Sequence, residues 1–317
     1  MADVLDAHLR IMAKALSEGR VVPFFGAGAN LCGRPADMIW KPGKFLPSGG
    51  ELSRYLASSF GYPENEPLDL VRVSQYAAVM AGSGPLYEEL RRVFDKDYAS
   101  TPLHEFFARL PGVLRAKGLT VPAQLIVTTN YDDLLERSFQ AAGEPYDQVC
   151  YVAEGELRGK FLHERPGQES IVIDKPNEYR SLPTEGGTVI LKIHGAVDRA
   201  NPDRDSYVIT EDHYIDYLTH TDISNLVPVT LAAKLKRSHF LFLGYGLRDW
   251  NLRVILHRIW GEQRLTFTSW AIQLDPSPLD LEYWRKRDVD ILNVRLDDYV
   301  AAVTASIQAL PPAGGAA

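Results

Sequence analysis

Residues 20–30 have the sequence RVVPFFGAGAN, in which a continuous apolar run ends in a glycine turn. The run Arg20–Phe25 is short and rich in β-forming residues, so it predicts a strand that is buried on both faces. Gly26, Ala27 and Gly28 follow it directly. Glycines at the end of a strand let backbone amides approach a phosphate. A plain structural turn uses the same glycines, so the motif alone leaves both interpretations open.

Apolar segments typical of strands alternate with helical patterns along much of the chain. This alternation is typical of βαβ units, which build a parallel sheet with helices on its faces. We therefore expect an α/β fold with a Rossmann-type parallel sheet flanked by helices. The further strands expected are Gln124–Thr129, Thr188–Ile193, His239–Leu243, Phe267–Leu274 and Asp290–Val294, and the helices expected are 4–19, Tyr131–Ala142, 210–236, Asp249–Trp260, Leu279–Lys286 and a last one near the C-terminus.

The region of about residues 51–110 shows helical patterns without a strong strand, which predicts a helical insertion in the sheet. Two of its pieces are Pro67–Ala81 and Pro85–Phe94. In a third piece Ser100 or Thr101 would cap a helix that has proline at its first position.

Three other segments depart from the alternation of strands and helices. Residues 29–50 are rich in glycine and proline, which predicts a long mobile loop. Residues of about 146–187 mix short strands with turns and stay irregular in the prediction. Residues 311–317, PPAGGAA, are expected to be a disordered tail.

Charge and cysteine content exclude several classes of protein. The 317 residues have a formal net charge of -7 and no long basic run, so we expect no direct nucleic-acid binding. Cys32 and Cys150 are too few for a four-cysteine zinc ribbon and are expected to be reduced thiols. No apolar run reaches the roughly 20 residues of a membrane span, and the N-terminus does not look like a signal peptide. We expect a cytoplasmic protein without membrane contact.

Polar residues end two of the expected strands. The segment TTNYDDLLE (128–136) places Asn130 where a strand stops and Asp132 in the first turn of the next helix. The segment LKIHGAVD (191–198) places His194 at another strand end, where histidine can act as a base near neutral pH. Ligands bind beyond the carboxyl ends of strands in open α/β sheets, so these side chains are candidates for a site. Helix capping would also explain Asn130, and a structural role would also explain His194.

Two later segments add candidates for phosphate and ribose contacts. In FLFLGYGLRDWN (240–251), Gly244, Tyr245 and Gly246 form a second strand-to-glycine turn that could cradle a phosphate. Asp275 ends a later strand, where a carboxylate commonly accepts a ribose hydroxyl. A plain turn explains Asp275 equally well.

In this order, the motifs resemble the sirtuin (silent information regulator) superfamily: GAG after the first strand, T-x-N-x-D after the second, HG after the third, and a late glycine turn. The resemblance covers about residues 20–300 and implies an NAD-binding catalytic domain over residues 1–310. One departure is Asn30, where many relatives carry serine. The resemblance implies that NAD is bound by Gly26, Ala27, Gly28, Asn30, Thr129, Gly244, Tyr245, Gly246 and Asp275.

The departures from deacetylating sirtuins bear on function. The zinc ribbon is missing from the sequence, and GYGLRDWN resembles the branch of bacterial sirtuin-like domains used in antiphage defence. Members of that branch typically hydrolyse NAD rather than deacetylate protein, often under the control of a partner ATPase, an Argonaute-like protein or a fused sensor. The resemblance thus implies an NAD hydrolase that needs no metal. It also implies control by homo-oligomer formation or by a regulatory protein such as a HerA-type ATPase or an Argonaute-like protein.

The resemblance also implies catalytic roles. Asp132 would hold the nicotinamide carboxamide, Asn130 would orient a water or a ribose hydroxyl, and His194 would act as general base. The products would be nicotinamide and ADP-ribose, or a cyclised ADP-ribose. Two alternatives stay open: an NAD-dependent protein deacylase, and a scaffold subunit that senses NAD or ADP-ribose without chemistry. A conventional dehydrogenase fits less well, because the first glycine turn lacks GxGxxG.

Overall fold

A computed structural model describes residues 2–183, 185–219, 227–246 and 267–313. Its centre is a nine-stranded sheet with helices on both faces, and a separate two-stranded sheet lies nearby. The strands are β1 (Val21–Phe25), β2 (Gln124–Thr128), β3 (Tyr146–Tyr151), β4 (Phe161–Glu164), β5 (Ile171–Ile173), β6 (Thr188–Lys192), β7 (Gly195–Ala196), β8 (Ser206–Tyr207), β9 (His239–Leu243), β10 (Ser269–Ile272) and β11 (Val289–Leu292). The α-helices are α1 (Ala2–Ser17), α2 (Gly49–Phe60), α3 (Leu70–Ala81), α4 (Ser83–Phe94), α5 (Pro102–Ala116), α6 (Leu134–Ala142), α7 (Glu211–Thr219), α8 (Val229–Lys236), α9 (Pro278–Arg285) and α10 (Leu296–Gln308).

The strand order in the large sheet is β11-β10-β9-β1-β2-β6-β3-β4-β5. Neighbouring strands from β11 to β3 run parallel, which confirms the predicted Rossmann-type sheet. β4 and β5 pair antiparallel at one edge and come from the region that the sequence left irregular. Short turns containing glycines in the left-handed region join β3 to β4 and β4 to β5, and such short connections favour antiparallel pairing.

β1 lies near the middle of the sheet and is in register with β9 from Val21 opposite His239 to Phe25 opposite Leu243. All five residues of β1 are buried, as are those of β2 and β6. Successive side chains point to opposite faces, so Phe24 packs in one core layer and Phe25 in the other. These parallel strands all end at the same edge of the sheet.

The helices expected in about residues 51–110 are observed as α2, α3, α4 and the larger part of α5. Residues of α2, α3 and α4 form a third hydrophobic cluster, which packs against Tyr131 and Tyr207 beyond the strand ends. The Thr101 hydroxyl accepts the His104 N–H, and Pro102 is the first helical residue, so the predicted cap is confirmed. Three of these helices therefore lie beside the edge where a ligand is expected.

The helix after β2 begins at Leu134, and the prediction that it begins at Tyr131 is wrong. The Asp132 carboxylate accepts the Leu134 N–H at 3.1 Å, and the Tyr131 carbonyl accepts the Val197 N–H at 2.9 Å. Side-chain bonds to the backbone of this kind compete with the helical pattern. Asn130 and Asp132 therefore lie in an irregular segment between strand and helix.

Smaller differences concern the bounds of other elements. The described part of residues 210–236 contains two helices, α7 and α8. β10 spans Ser269–Ile272 and is shorter than predicted. Within the expected loop after β1, the first residues form a 3₁₀ turn over Ala27–Leu31. The helix predicted over Asp249–Trp260 and residues 314–317 of the tail lie outside the described residues. None of the helices described here has both the length and the apolar character that crossing a bilayer requires.

Candidate functional site

A cavity of about 420 Å³ opens at the carboxyl ends of β1, β2, β6 and β9. The strand ends form one side of the cavity. Residues in α2, α3 and α4 and in the loop before α2 form the other side. The structure brings together Asn130, Asp132 and His194 with both glycine turns, although they are far apart in sequence. The residues that line the cavity are Gly26, Ala27, Gly28, Asn30, Pro47, Ser48, Gly49, Gly50, Leu52, Leu70, Phe94, Thr129, Asn130, Tyr131, Asp132, His194, Tyr214, Gly244, Tyr245 and Gly246.

The two glycine turns lie against each other and form one interlocked unit. The Gly28 N–H donates to the Gly244 carbonyl at 2.8 Å, and the Gly26 N–H donates to the Leu243 carbonyl at 3.1 Å. Gly244 has φ +66°, and a Cβ there would lie 1.9 Å from the backbone nitrogen of Ala29. The glycines are therefore needed for the close approach of two backbones, and two of their amides are already engaged.

Asn130 is held by hydrogen bonds at both its backbone and its side chain. Its N–H donates to the Thr128 hydroxyl at 3.0 Å, and its side-chain Nδ2 donates to the Gly26 carbonyl at 3.2 Å. Asp133, not Asn130, occupies the cap position of α6. The helix-capping interpretation of Asn130 is therefore wrong, and the side chain instead links β2 to the first glycine turn.

Asp132 and Asn30 form a buried pair on the cavity wall. Asn30 Nδ2 donates to Asp132 Oδ2 at 3.3 Å, while Asp132 Oδ1 accepts the Leu134 N–H. Within the part of the chain that the structure describes, Asn30 Oδ1 is buried without a hydrogen-bond partner. A buried carbonyl oxygen of this kind costs about 1–3 kcal/mol unless a donor satisfies it. Both residues line the cavity, so the pair places a carboxylate and an amide oxygen acceptor at its wall.

His194 lies at the end of β6 and is almost fully buried. Its Nδ1 lies 3.5 Å from the Tyr214 hydroxyl, and the two rings pack edge to face. Burial lowers the pKa of His194 to about 3, so the imidazole is neutral at pH 7. The next residue, Gly195, has φ +82°, and a Cβ there would lie 2.2 Å from the Ser206 carbonyl oxygen.

A buried ion pair behind Asp132 was not predicted from the sequence. Lys192 Nζ donates to Glu136 Oε1 at 3.0 Å and also to the backbone carbonyl of Asp132. The signal was a lysine inside the apolar run TVILKI, two residues before His194. A lysine in a continuously buried strand needs a partner, which sequence alone does not identify.

The helical side of the cavity was not predicted from the sequence either. Pro47, Leu52, Leu70 and Phe94 contribute apolar surface there. A capping box at Ser48 begins α2 beside the cavity. Apolar residues at helical spacing indicate packing without showing what they pack against, so no motif could reveal this wall.

Asp275 is not among the cavity-lining residues in the described part of the chain. It is exposed, has φ +48°, and its N–H donates to Asn293 Oδ1 at 3.0 Å. Its contact with a ribose stays a prediction. Among the described residues, no group of three or more His, Cys, Asp or Glu side chains is arranged to hold a metal ion.

Several curated proteins are similar to most of this chain. It is 24% identical over 303 residues to defense-associated sirtuin 2 of Bacillus subtilis, covering 92% of this chain and 25% of that protein. It is 29% identical over 250 residues to NAD(+) hydrolase ThsA of Acinetobacter baumannii, covering 78% of this chain and 41% of that protein. The protein of the same name from Enterococcus faecium is 26% identical over 254 residues.

The chain thus spans between 25% and 42% of the length of these relatives. The resemblance to the sirtuin superfamily is confirmed. The family model described as the SIR2-like domain matches residues 124–292, more than half of the chain, and the chain therefore belongs to the SIR2-like family.

Proposed function

We propose that the chain is an NAD hydrolase that cleaves the nicotinamide–ribose bond and releases nicotinamide and ADP-ribose. The observation that carries this proposal is that Asn130, Asp132 and His194 line one cavity beside the two glycine turns. The names of the ThsA relatives support it, since they are called NAD(+) hydrolases.

In this proposal the pyrophosphate of NAD lies against the interlocked glycine turns. The amides of Gly26 and Gly28 are engaged, so Ala27 and Gly246, which also line the cavity, supply the backbone contacts. The absence of side chains at the glycines keeps this surface open to phosphate oxygens. Asp275 would take the adenosine ribose only if NAD extends beyond the cavity.

The nicotinamide end of NAD would lie at the buried acceptors. The Asp132 carboxylate would accept a hydrogen bond from the carboxamide N–H₂ and help turn the ring away from the ribose. When the glycosidic bond breaks, its electron pair moves to the ring nitrogen and neutral nicotinamide leaves. The ribose becomes oxocarbenium-like, and its positive charge is stabilised by polar groups nearby.

Water would then attack the ribose carbon from the side of Asn130 and His194. Asn130 uses its Nδ2 on Gly26, which leaves its carbonyl oxygen to orient the water or a ribose hydroxyl. His194 would accept the proton, an effect typically worth about 10²–10⁴-fold in rate. A histidine whose pKa burial lowers to about 3 is a weak base. A weak base suffices here, because water becomes strongly acidic as it bonds to an oxocarbenium carbon.

The test is the release of nicotinamide and ADP-ribose from NAD, quantified by chromatography. The full chain is assayed over a range of protein concentrations, because assembly is one of the proposed triggers, and together with products of neighbouring genes. Asn130→Ala and His194→Ala should each lower turnover by roughly 10²–10⁴-fold while ADP-ribose binding is retained. Unchanged NAD under all these conditions, or full activity in both variants, would contradict the proposal.

The same preparation separates the two alternatives. Removal of acetyl groups from an acetylated peptide would indicate a protein deacylase. NAD that stays bound and intact would indicate a sensing subunit. A cyclised product would be visible in the same chromatogram and would mean that a ribose hydroxyl replaces water.

We further propose that the chain is the NAD-depleting effector of a bacterial antiphage defence system. The name of the Bacillus subtilis relative supports this role. Activation would come from a regulatory partner or from homo-oligomer assembly. The test is plaque formation on bacteria that express the chain with its neighbouring genes, where His194→Ala should lose protection and NAD depletion together.

A further inference from the structure

Lys192, the last residue of β6, is a buried lysine that the proposed mechanism does not use. Its side chain is 2% exposed. Its Nζ donates to Glu136 Oε1 at 3.0 Å and to the backbone carbonyl oxygen of Asp132. Lysine is almost never fully buried unless it is paired. Lys192 thus joins the strand that leads to His194 to the segment that carries Asp132.

Stability alone does not explain why the charged pair Lys192–Glu136 is buried here. Burial alone would lower the pKa of Lys192, but the carboxylates of Glu136 and Asp132 outweigh it and raise the pKa, so the lysine is charged at neutral pH. Replacing a buried ion pair by apolar residues of similar volume is often neutral or stabilising. The feature that apolar residues could not reproduce is the hydrogen bond to the Asp132 carbonyl.

The hydrogen bond from Lys192 to the Asp132 carbonyl matters because of where Asp132 lies in the chain. It lies in the irregular segment before α6, where helical hydrogen bonds do not fix its peptide group. Its carboxylate is held by the Leu134 N–H at 3.1 Å and by Asn30 Nδ2 at 3.3 Å. A contact from Lys192 to the carbonyl fixes the orientation of the peptide and thereby the direction of the side chain. An ammonium donor makes this bond stronger than a neutral one would be.

We propose that Lys192 is a positioning residue that holds the Asp132 carboxylate in place at the nicotinamide end of the cavity. The proposal rests on the proposed NAD hydrolase function. Lys192 is not among the cavity-lining residues in the described part of the chain, so it acts through Asp132 and not on the substrate.

The experiment separates positioning from stability with paired substitutions. Lys192→Met alone leaves Glu136 buried and unpaired, and it should destabilise the fold. The double variant Lys192→Met with Glu136→Leu removes both charges, and it should fold but lack the bond to Asp132. A second double variant, Lys192→Gln with Glu136→Gln, keeps a neutral polar pair in case the apolar one does not fold. The matched control is Lys160→Met, which breaks an exposed pair with Asp174.

The readouts are NAD turnover and the dissociation constants of nicotinamide and ADP-ribose, measured by calorimetry. In the folded double variant we expect kcat/KM for NAD to fall about 100-fold and nicotinamide to bind about 10-fold more weakly. ADP-ribose affinity should stay within about 3-fold, because the glycine turns are untouched. Glu136→Gln should retain turnover within about 5-fold, because Lys192 still reaches the Asp132 carbonyl.

Two results would overturn the positioning role. One is a double variant that binds nicotinamide and turns over NAD as the wild type does. The other is an equal weakening of nicotinamide and ADP-ribose binding, which would indicate general damage to the site. If the wild type releases no nicotinamide from NAD, the proposed function fails, and the two dissociation constants still decide the role of Lys192.

Discussion

Different interactions hold the two walls of the cavity in place. The strand wall, formed by the ends of β1, β2, β6 and β9, is held by backbone contacts such as the Gly28 N–H to Gly244 carbonyl bond at 2.8 Å. The helical wall, formed by Pro47 to Gly50, Leu52, Leu70 and Phe94, is held by side-chain packing and a helix cap. Backbone contacts tolerate no added atom, whereas apolar packing adapts to a changed side chain. Substitutions in the strand wall should therefore either abolish stability and NAD turnover or leave them almost unchanged. Substitutions in the helical wall should cause graded losses.

The largest effect is expected from Gly244→Ala in the strand wall. The new Cβ would lie 1.9 Å from the Ala29 nitrogen, at a backbone φ of +66°. We expect the free energy of unfolding to fall by roughly 3 kcal/mol or more, and NAD turnover to be lost with it. Urea unfolding measures the first and nicotinamide release the second.

The matched control for stability is Gly246→Ala in the same turn, since no atom of the described residues lies within 4 Å of a Cβ built there. Its unfolding midpoint should match the wild type. Equal losses of stability in both variants would show that the turn is sensitive to any added side chain. The proposed difference between the two walls would then be wrong.

Lowering the pH is expected to have an intermediate effect on stability, because a histidine packed on the strands has a lowered pKa. The His104 ring packs edge to face on Phe25 of β1, and burial lowers its pKa to about 4. An unfolded histidine titrates near 6.5, so the unfolded chain binds more protons between these two pH values. The free energy of unfolding therefore falls as the pH drops from 6.5 towards 4, by about 2 kcal/mol for this residue at pH 5.

His104→Gln should remove that part of the pH dependence. Urea unfolding at pH 7.5 and pH 5.0 measures the difference, with the wild type as reference. We expect the loss of stability between the two pH values to be smaller in the variant by about 2 kcal/mol. An unchanged loss would mean that His104 takes up its proton in the folded chain.

The smallest effect is expected from Phe94→Leu in the helical wall. Phe94 is buried, and its ring lies 5.4 Å from that of Tyr131. We expect a loss of about 1 kcal/mol in stability and a KM for NAD about 3-fold higher, with kcat within about 2-fold. Val79→Ala, at an exposed position of α3, is the control and should change neither. A fall in kcat at constant KM would give the helical wall a part in the chemistry.

The strand wall was largely predictable from sequence, and the helical wall was not. Glycine, asparagine and histidine at strand ends are unusual residues in an apolar context, so Gly26, Asn130 and His194 were visible as candidates. Leu52 and Phe94 were not, because an apolar residue in a helix has the same pattern wherever that helix packs. The start of α6 was misplaced because the side-chain bond of Asp132 to the backbone cannot be distinguished from helix propensity in a single sequence.

Contacts between residues that are distant in sequence were the other feature that could not be predicted. The Asn30–Asp132 and Lys192–Glu136 contacts join segments far apart in the chain, and a lone sequence shows each residue without its partner. The interlocking of the two glycine turns is a further case, since each turn alone looked like an independent phosphate cradle. Asp275 fits the ribose pattern in sequence but is not among the described residues that line the cavity.

The proposed chemistry requires that one sugar carbon faces both Asn130 and His194. A crystal structure of the full chain with ADP-ribose bound would reveal this arrangement. We expect the pyrophosphate on the glycine turns and the distal ribose within about 4 Å of both side chains. ADP-ribose bound elsewhere, or with its distal ribose in contact with neither residue, would contradict it.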